Sequence, residues 1–269
     1  MAFHPAAIAR MKNFYLKGVL GIYIIAFASL YLQVRSLFGD NGVVPLSDFM
    51  AKASNNKKPS ELQSIIALAP KVDLGYGEFV ELLCIFGVLL SLASLLVRRL
   101  ANAVTFGLLW YIYYSICLVG QGFMSFHSDL ILLEVGFITI LLAPLLPTSR
   151  MSQYDHDHMT FFLIKWLTFR YFVTNVLNVY LDNDDAWYKM TAIPMVAQSV
   201  QFPSLLSWHV HNFPVEYVRL YQAYEHCVKL CAPFLILLDL KYSRLLAFYT
   251  LVSTFLSHLL YNLSFEPSP

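Results

Sequence analysis

The sequence predicts an all-α membrane protein: a polytopic bundle of about seven transmembrane helices (range roughly five to eight), with an amphipathic lumenal loop between the fifth and sixth. Three observations predict it. Of 269 residues, 58% are hydrophobic and 16% aromatic, whereas 13% are charged, against the ~25% usual in a soluble domain. The apolar residues gather in runs near the ~20 that a helix needs to cross a bilayer, and backbone left unpaired in lipid is costly enough to make such runs helical. Basic residues recur at every second flank of those runs. The 18 basic and 17 acidic side chains nearly cancel, so no broad positive field exists for nucleic acid. Membrane lipid is the partner this composition requires.

Seven runs qualify, near residues 15–34, 79–97, 103–120, 128–146, 160–181, 217–238 and 243–262, and they read as one membrane domain over 1–269. The first is longer than the ~7–15-residue core of a cleavable signal and lacks a small-residue cleavage site, so it reads as a retained signal anchor. Arg10 and Lys12 precede it, Arg98 and Arg99 fill the turn after the second run, Arg150 follows the fourth, and Lys241 and Arg244 fill the turn after the sixth. Positive residues stay on the cytosolic side, which predicts a cytosolic N-terminus and, with an odd number of spans, a lumenal C-terminus.

The long lumenal stretches are then 35–78 and 182–216. In the first, SNNKKPSE (54–61) reads as a solvated linker. The second opens with Asp182, Asp184 and Asp185 and carries Pro194, Pro203 and Pro214, each of which discourages a continuous helix. Trp187, Met190, Phe202, Leu205, Leu206 and Trp208 suit it to lying on the membrane surface as short amphipathic pieces.

Charges within spans are costly and mark a partner or a function. The fourth run, SFHSDLILLEVGFITILLAPLLP (125–147), holds Asp129 near its lumenal end and Glu134 about a third of the way in. Asp129 is close enough to the interface to be hydrated, and Lys165 in the fifth run can snorkel to the cytosolic surface. Glu134 and Arg170 lie deeper, at similar depth on antiparallel neighbours, and are expected to pair. His127, seven residues before Glu134, shares its face, and Gln121 precedes the same helix as a further polar group. A structural ion pair fixing helix packing and a proton relay are the two readings of this group. Beyond Glu78 and Glu81 near the lumenal end of the second run, the other spans are expected to offer no ionisable groups that extend a relay or ion pathway.

Other constellations are thinner. Cys84, Cys117, Cys227 and Cys231 all fall in apolar runs and read as buried free thiols. WHVH (208–211) and DHDH (155–158) each offer two histidines without the third and fourth ligands of a zinc site, so no metal is expected. No phosphate loop, nucleophile elbow or HExxH sequence is present, and no cofactor is expected.

Several stretches carry a specific resemblance: FASLYLQVRSLFGDNGVVP (27–45), GLLWYIYYSICLVGQGFMSFHSDLILLEVGFITILLAPL (107–145), WLTFRYFV (166–173), AWYKMTA (186–192), LSWHVHNFP (206–214), LAFYT (246–250) and LLYNLSF (259–265). Together they resemble the lipase maturation factor family, nearer the second of its two vertebrate paralogues. The resemblance implies a multi-span, non-enzymatic protein of the endoplasmic reticulum membrane that assists folding, assembly and secretion of lipases, with a secreted lipase as client. It also implies that Asp129, Glu134 and Arg170 are family positions, and that 35–78 and 182–216 meet the client, through residues such as Asp184, Asp185, Trp187, Trp208 and His211.

The family is distantly similar to vitamin K-dependent carboxylase membrane domains, which raises a carboxylase-related enzyme, or a transporter, using the Glu134 region as an alternative. A packing scaffold without client activity is a third. Two departures bear on these. Where the family carries a late Lys in the fifth span and an HYETQP-like motif after it, this sequence reads NVLNVYL (175–181) and MVAQSVQ (195–201). Val179 or Tyr180 in place of that Lys disfavours base chemistry of the carboxylase kind. The family's large lumenal C-terminal domain is expected to be absent from this chain.

Overall fold

The structure, a computed structural model, describes residues 5–39, 42–55, 64–124, 127–145, 156–181, 189–190, 209, 212, 214–238 and 241–261. Among these, every regular element is helical. The chain divides into two compact units, Met1–Thr160 and Phe161–Pro269.

The first unit is organised by α1 (Pro5–Phe38). Leu16, Leu20, Tyr23, Phe27, Leu30, Val34 and Phe38 recur every three or four residues, so they form one stripe, and all are buried. After α1 the chain does not hang free as a lumenal loop. Helix α2 (Leu46–Asn55) and a 3-10 turn (Ile65–Val72) return Leu46, Met50 and Ile66 to the same core. Ser64 anchors the turn: its hydroxyl accepts the N–H of Ile66 at 3.0 Å and donates to the carbonyl of Ser115 at 3.4 Å. The linker expected at 54–61 lies outside the described residues except for Ser54 and Asn55, which close α2.

Helices α3 (Tyr76–Leu96), α4 (Ala103–Val119) and α5 (His127–Leu142) complete this unit. The turn between α3 and α4 is closed by Asn102, whose side-chain oxygen accepts the N–H of Thr105 at 2.9 Å as an N-cap. Helix α5 stops four residues before the predicted end of its run because Ala143 precedes Pro144, and a residue before proline is pushed out of helical geometry. The helices alternate in direction. The C-terminal end of α1 meets the start of α3 through Arg35 and Glu81. Tyr15, early in α1, meets Thr139, late in α5. Ala103, at the start of α4, donates to Pro144 just past the end of α5 at 2.9 Å.

In the second unit, α6 (Asp157–Leu181), whose first turn belongs to unit one, is followed by α7 (Val215–Leu237) and α8 (Lys241–Tyr261). Val228, Ala232 and Ala247 form a small core where α7 and α8 pack, and the hydroxyl of Ser243 donates to the carbonyl of Leu235 at 2.7 Å. Small residues at that contact let two helices approach closely. Phe169 of α6 meets Phe234 of α7 edge to face, at 4.9 Å between ring centres.

All seven predicted runs fall on helices. Among the described residues, two of these, α1 over Ile8–Phe38 and α3, are long and apolar enough to cross a membrane, and α4 is apolar but shorter.

Gly87 of α3 packs against Phe27 of α1, where an added Cβ would come within 2.7 Å of the ring. Overpacking of this kind costs ~1–3 kcal/mol. Gly87→Leu should therefore lower the unfolding temperature of the detergent-solubilised protein, and a change no larger than that of a lipid-facing Leu89→Ala control would contradict the packing.

Candidate functional site

The polar groups of unit one sort by end. At the N-terminal end of α1, Lys12 and Asp157 form a fully buried ion pair, Nζ to Oδ1 2.8 Å. His156 stands 3.9 Å from the same carboxylate oxygen. One turn further in, the hydroxyls of Tyr15 and Thr139 are 3.2 Å apart. Arg98 and Arg99 are exposed at the turn after α3, which the alternation of helices places at this same end. The opposite end holds Glu78, Glu81 and Asp129, with Arg35 forked onto Glu81 through Nε at 3.1 Å and Nη2 at 3.0 Å.

Asp129 stands in the first turn of α5, where a carboxylate is favoured by the helix dipole. Hydration alone does not hold it: the Tyr113 hydroxyl donates to its Oδ1 at 2.7 Å. Glu134 is half-buried on the same helix, next to Leu133, whose carbonyl accepts the Trp110 indole N–H at 2.8 Å. Arg170 belongs to α6 in the second unit and is exposed there. His127 opens α5 and Gln121 begins the short 3-10 turn Gln121–Met124; their side chains are outside the described set. Asp184, Asp185, Trp187, Trp208 and His211 lie outside the described residues altogether.

Helix α7 carries groups that the charge pattern of the fourth and fifth runs does not anticipate. Glu225 and Lys229, one turn apart, form an ion pair with both side chains largely buried. Gln222 is fully buried, and neither its Nε2 nor its Oε1 has a hydrogen-bond partner. His226 is buried beside them, its Nδ1 2.8 Å from the backbone carbonyl of Gln222. The signal was present in the sequence as Gln222, Glu225 and Lys229, spaced three and four apart on one helical face. The cysteines also divide. Cys84 is buried and Cys117 partly so, but Cys227 and Cys231 are exposed, with sulfurs 3.9 Å apart. No cluster of three or more metal-ligating side chains occurs among the described residues.

Tyr23, in the middle of α1, is fully buried with no partner for its hydroxyl, which rests against Gly136 of α5. This arrangement is chemically quiet: an ion pair, two hydroxyl contacts and a tyrosine ring fill the interior, and each lies between two helices.

Two outcomes follow from these contacts. Removing one partner of a buried ion pair costs ~3–5 kcal/mol because it strands the other charge. Lys12→Ala and Asp157→Ala should each destabilise by about that amount, and the double replacement by less than the sum; strictly additive losses in thermal unfolding would refute the pairing. Tyr113→Phe, which takes the donor from Asp129, should cost roughly 1–3 kcal/mol, whereas Tyr23→Phe, which removes an unpaired hydroxyl, should be neutral or stabilising.

Comparison with known proteins covers nearly the whole chain. The profile of the lipase maturation factor transmembrane domain matches residues 10–265. Lipase maturation factor 2 of Homo sapiens is 30% identical over 252 residues, covering 90% of this chain and 36% of its own length. That of Xenopus laevis is 32% identical over 247 residues, covering 90% and 35%. Lipase maturation factor 1 of Mus musculus is more distant, 26% identical over 231 residues and covering 83% and 40%. The chain thus spans little more than a third of the length of these relatives. No solved structure matches. With two helices long and apolar enough to cross a bilayer and a match that runs from Arg10 to Phe265, the chain is a membrane protein belonging to the lipase maturation factor family.

Proposed function

We propose that this chain is the membrane part of an endoplasmic reticulum factor that assists the folding, assembly and secretion of lipases and performs no chemistry on them. The observation that supports this reading most is the family match over residues 10–265. In it the seven helical runs cross the bilayer as one membrane domain. The end carrying Lys12, Arg98 and Arg99 faces the cytosol, in keeping with retention of positive flanks. The C-terminus and the stretches 35–78 and 182–216 face the lumen, where Asp184, Asp185, Trp187, Trp208 and His211 meet the client.

Glu134 and Arg170 serve this function as architecture. A second reading, a carboxylase-related enzyme or a transporter, draws support from the buried Glu225 and Lys229 and the unpaired Gln222 amide on α7, which add ionisable and polar groups to a predicted span.

Deleting the gene should abolish or strongly reduce secreted lipase activity while lipase messenger RNA is unchanged, and normal secretion would sink the maturation role. On re-expression, Glu134→Gln and Arg170→Gln should each restore secretion poorly, and the double replacement should restore more than either single one. Loss of secretion in a Glu134→Gln variant that still folds at normal abundance, with no rescue by adding Arg170→Gln, would favour the second reading, in which the Glu134 region does the chemistry.

A further inference from the structure

A cleft of about 320 Å³ opens between the C-terminal end of α1 and the N-terminal end of α3. At ~30 Å³ per water molecule it has room for a small polar group of about ten water volumes. Its charged lining is Arg35, Glu78 and Glu81, and Gly39, Gly75 and Gly77 supply bare backbone beside them. The glycines keep it open and close-walled at once, since a Cβ on Gly77 would stand 3.3 Å from the Cα of Gly39.

The charges define what fits. Arg35 is 83% exposed and gives Glu81 one N–H from Nε and one from Nη2. A guanidinium has five such donors, so a further acceptor can share it. The exposed Glu78 carboxylate takes the Gly75 N–H at 3.3 Å as the reach-back contact of an N-terminal helix cap. Two carboxylates against one guanidinium leave a surplus negative charge. A plain anion is repelled by that surplus, and a plain cation makes no use of the guanidinium. A group bearing both signs a few ångströms apart uses all three side chains.

Position narrows the source. The cleft stands at the end of the two helices long and apolar enough to cross a membrane, and their exposed apolar side chains begin beside it, with Leu32 preceding Arg35 and Leu82 following Glu81. A polar notch where an apolar surface stops is at the level of lipid headgroups.

We propose that this cleft binds the headgroup of a zwitterionic phospholipid, the phosphate on Arg35, the ammonium on Glu78 and Glu81, and the acyl chains along α1 and α3. The proposal rests on reading α1 and α3 as spans. The test uses the full chain in nanodiscs holding equal phosphatidylethanolamine, phosphatidylcholine and phosphatidylglycerol, with the lipid retained on the protein counted by native mass spectrometry. The ethanolamine lipid should be retained roughly tenfold over the glycerol lipid, and Glu78→Gln, which preserves the cap, should cut that preference several-fold without changing the melting temperature. Arg35→Ala should do the same, and should it not fold, Arg35→Lys, which keeps the charge but loses the fork, should still give a measurable drop. Equal retention of the two lipids, or unchanged retention in Glu78→Gln, would overturn the site. Complete displacement by millimolar phosphoethanolamine would overturn the lipid in favour of a soluble zwitterion. Recovery of the chain in a carbonate-washed soluble fraction would instead overturn the span reading.

Discussion

A polar atom withdrawn from water inside an apolar bundle has to find its partner within the bundle, and this constraint shapes the structure from end to end. It explains why Ser91, Ser94 and Thr139 turn their hydroxyls back onto carbonyls of their own helices at 2.6–2.7 Å. It explains why Trp110 spends its indole N–H on the carbonyl of Leu133. Where a partner lies on another helix, the bond also fixes how the two helices lie: Tyr15 with Thr139, Tyr113 with Asp129 and Lys12 with Asp157 each tie elements distant in sequence. The exceptions, the Tyr23 hydroxyl and the Gln222 amide, stand out because the rule is otherwise kept.

The helices were legible because their signal is long and redundant. A run such as 79–97 contains many apolar residues that all say the same thing, and α3 occupies it almost end to end. The short elements of the stretch 35–78 are hidden by their composition. Leu46, Met50 and Ile66 are scattered among polar residues, and nothing local shows that they close onto the core of unit one. The polar partnerships were half legible. Asp129 and Glu134 are conspicuous as charges in an apolar run, but Tyr113 looks like any other aromatic until the fold sets it against Asp129. Lys12 reads as a flank of the first run, but it lies within α1, and its burial depends on Asp157, which no periodicity links to it. On α7 the spacing of Gln222, Glu225 and Lys229 is visible in the sequence, but nothing local shows that these groups are buried.

Family membership and physical chemistry bear on different parts of the molecule. The match to the lipase maturation factor transmembrane domain extends across both compact units, from residue 10 to residue 265. The interior of unit one is built for holding helices together: apart from the Tyr23 hydroxyl, the polar groups described there are hydroxyls, carboxylates and amines paired with partners. The less orthodox chemistry is on α7, in unit two, where a buried ion pair and an unpaired amide share a face.

The Lys12–Asp157 contact joins residues 145 apart in the chain. At ~5–20 residues per second of synthesis, the ammonium made near the start waits roughly 7–30 s before its carboxylate leaves the ribosome. Through that interval the lysine has no counter-ion to accompany it into the apolar interior. Its place at the very edge of the first hydrophobic run is then a matter of timing: water at that edge can shelter the charge until Asp157 has been made.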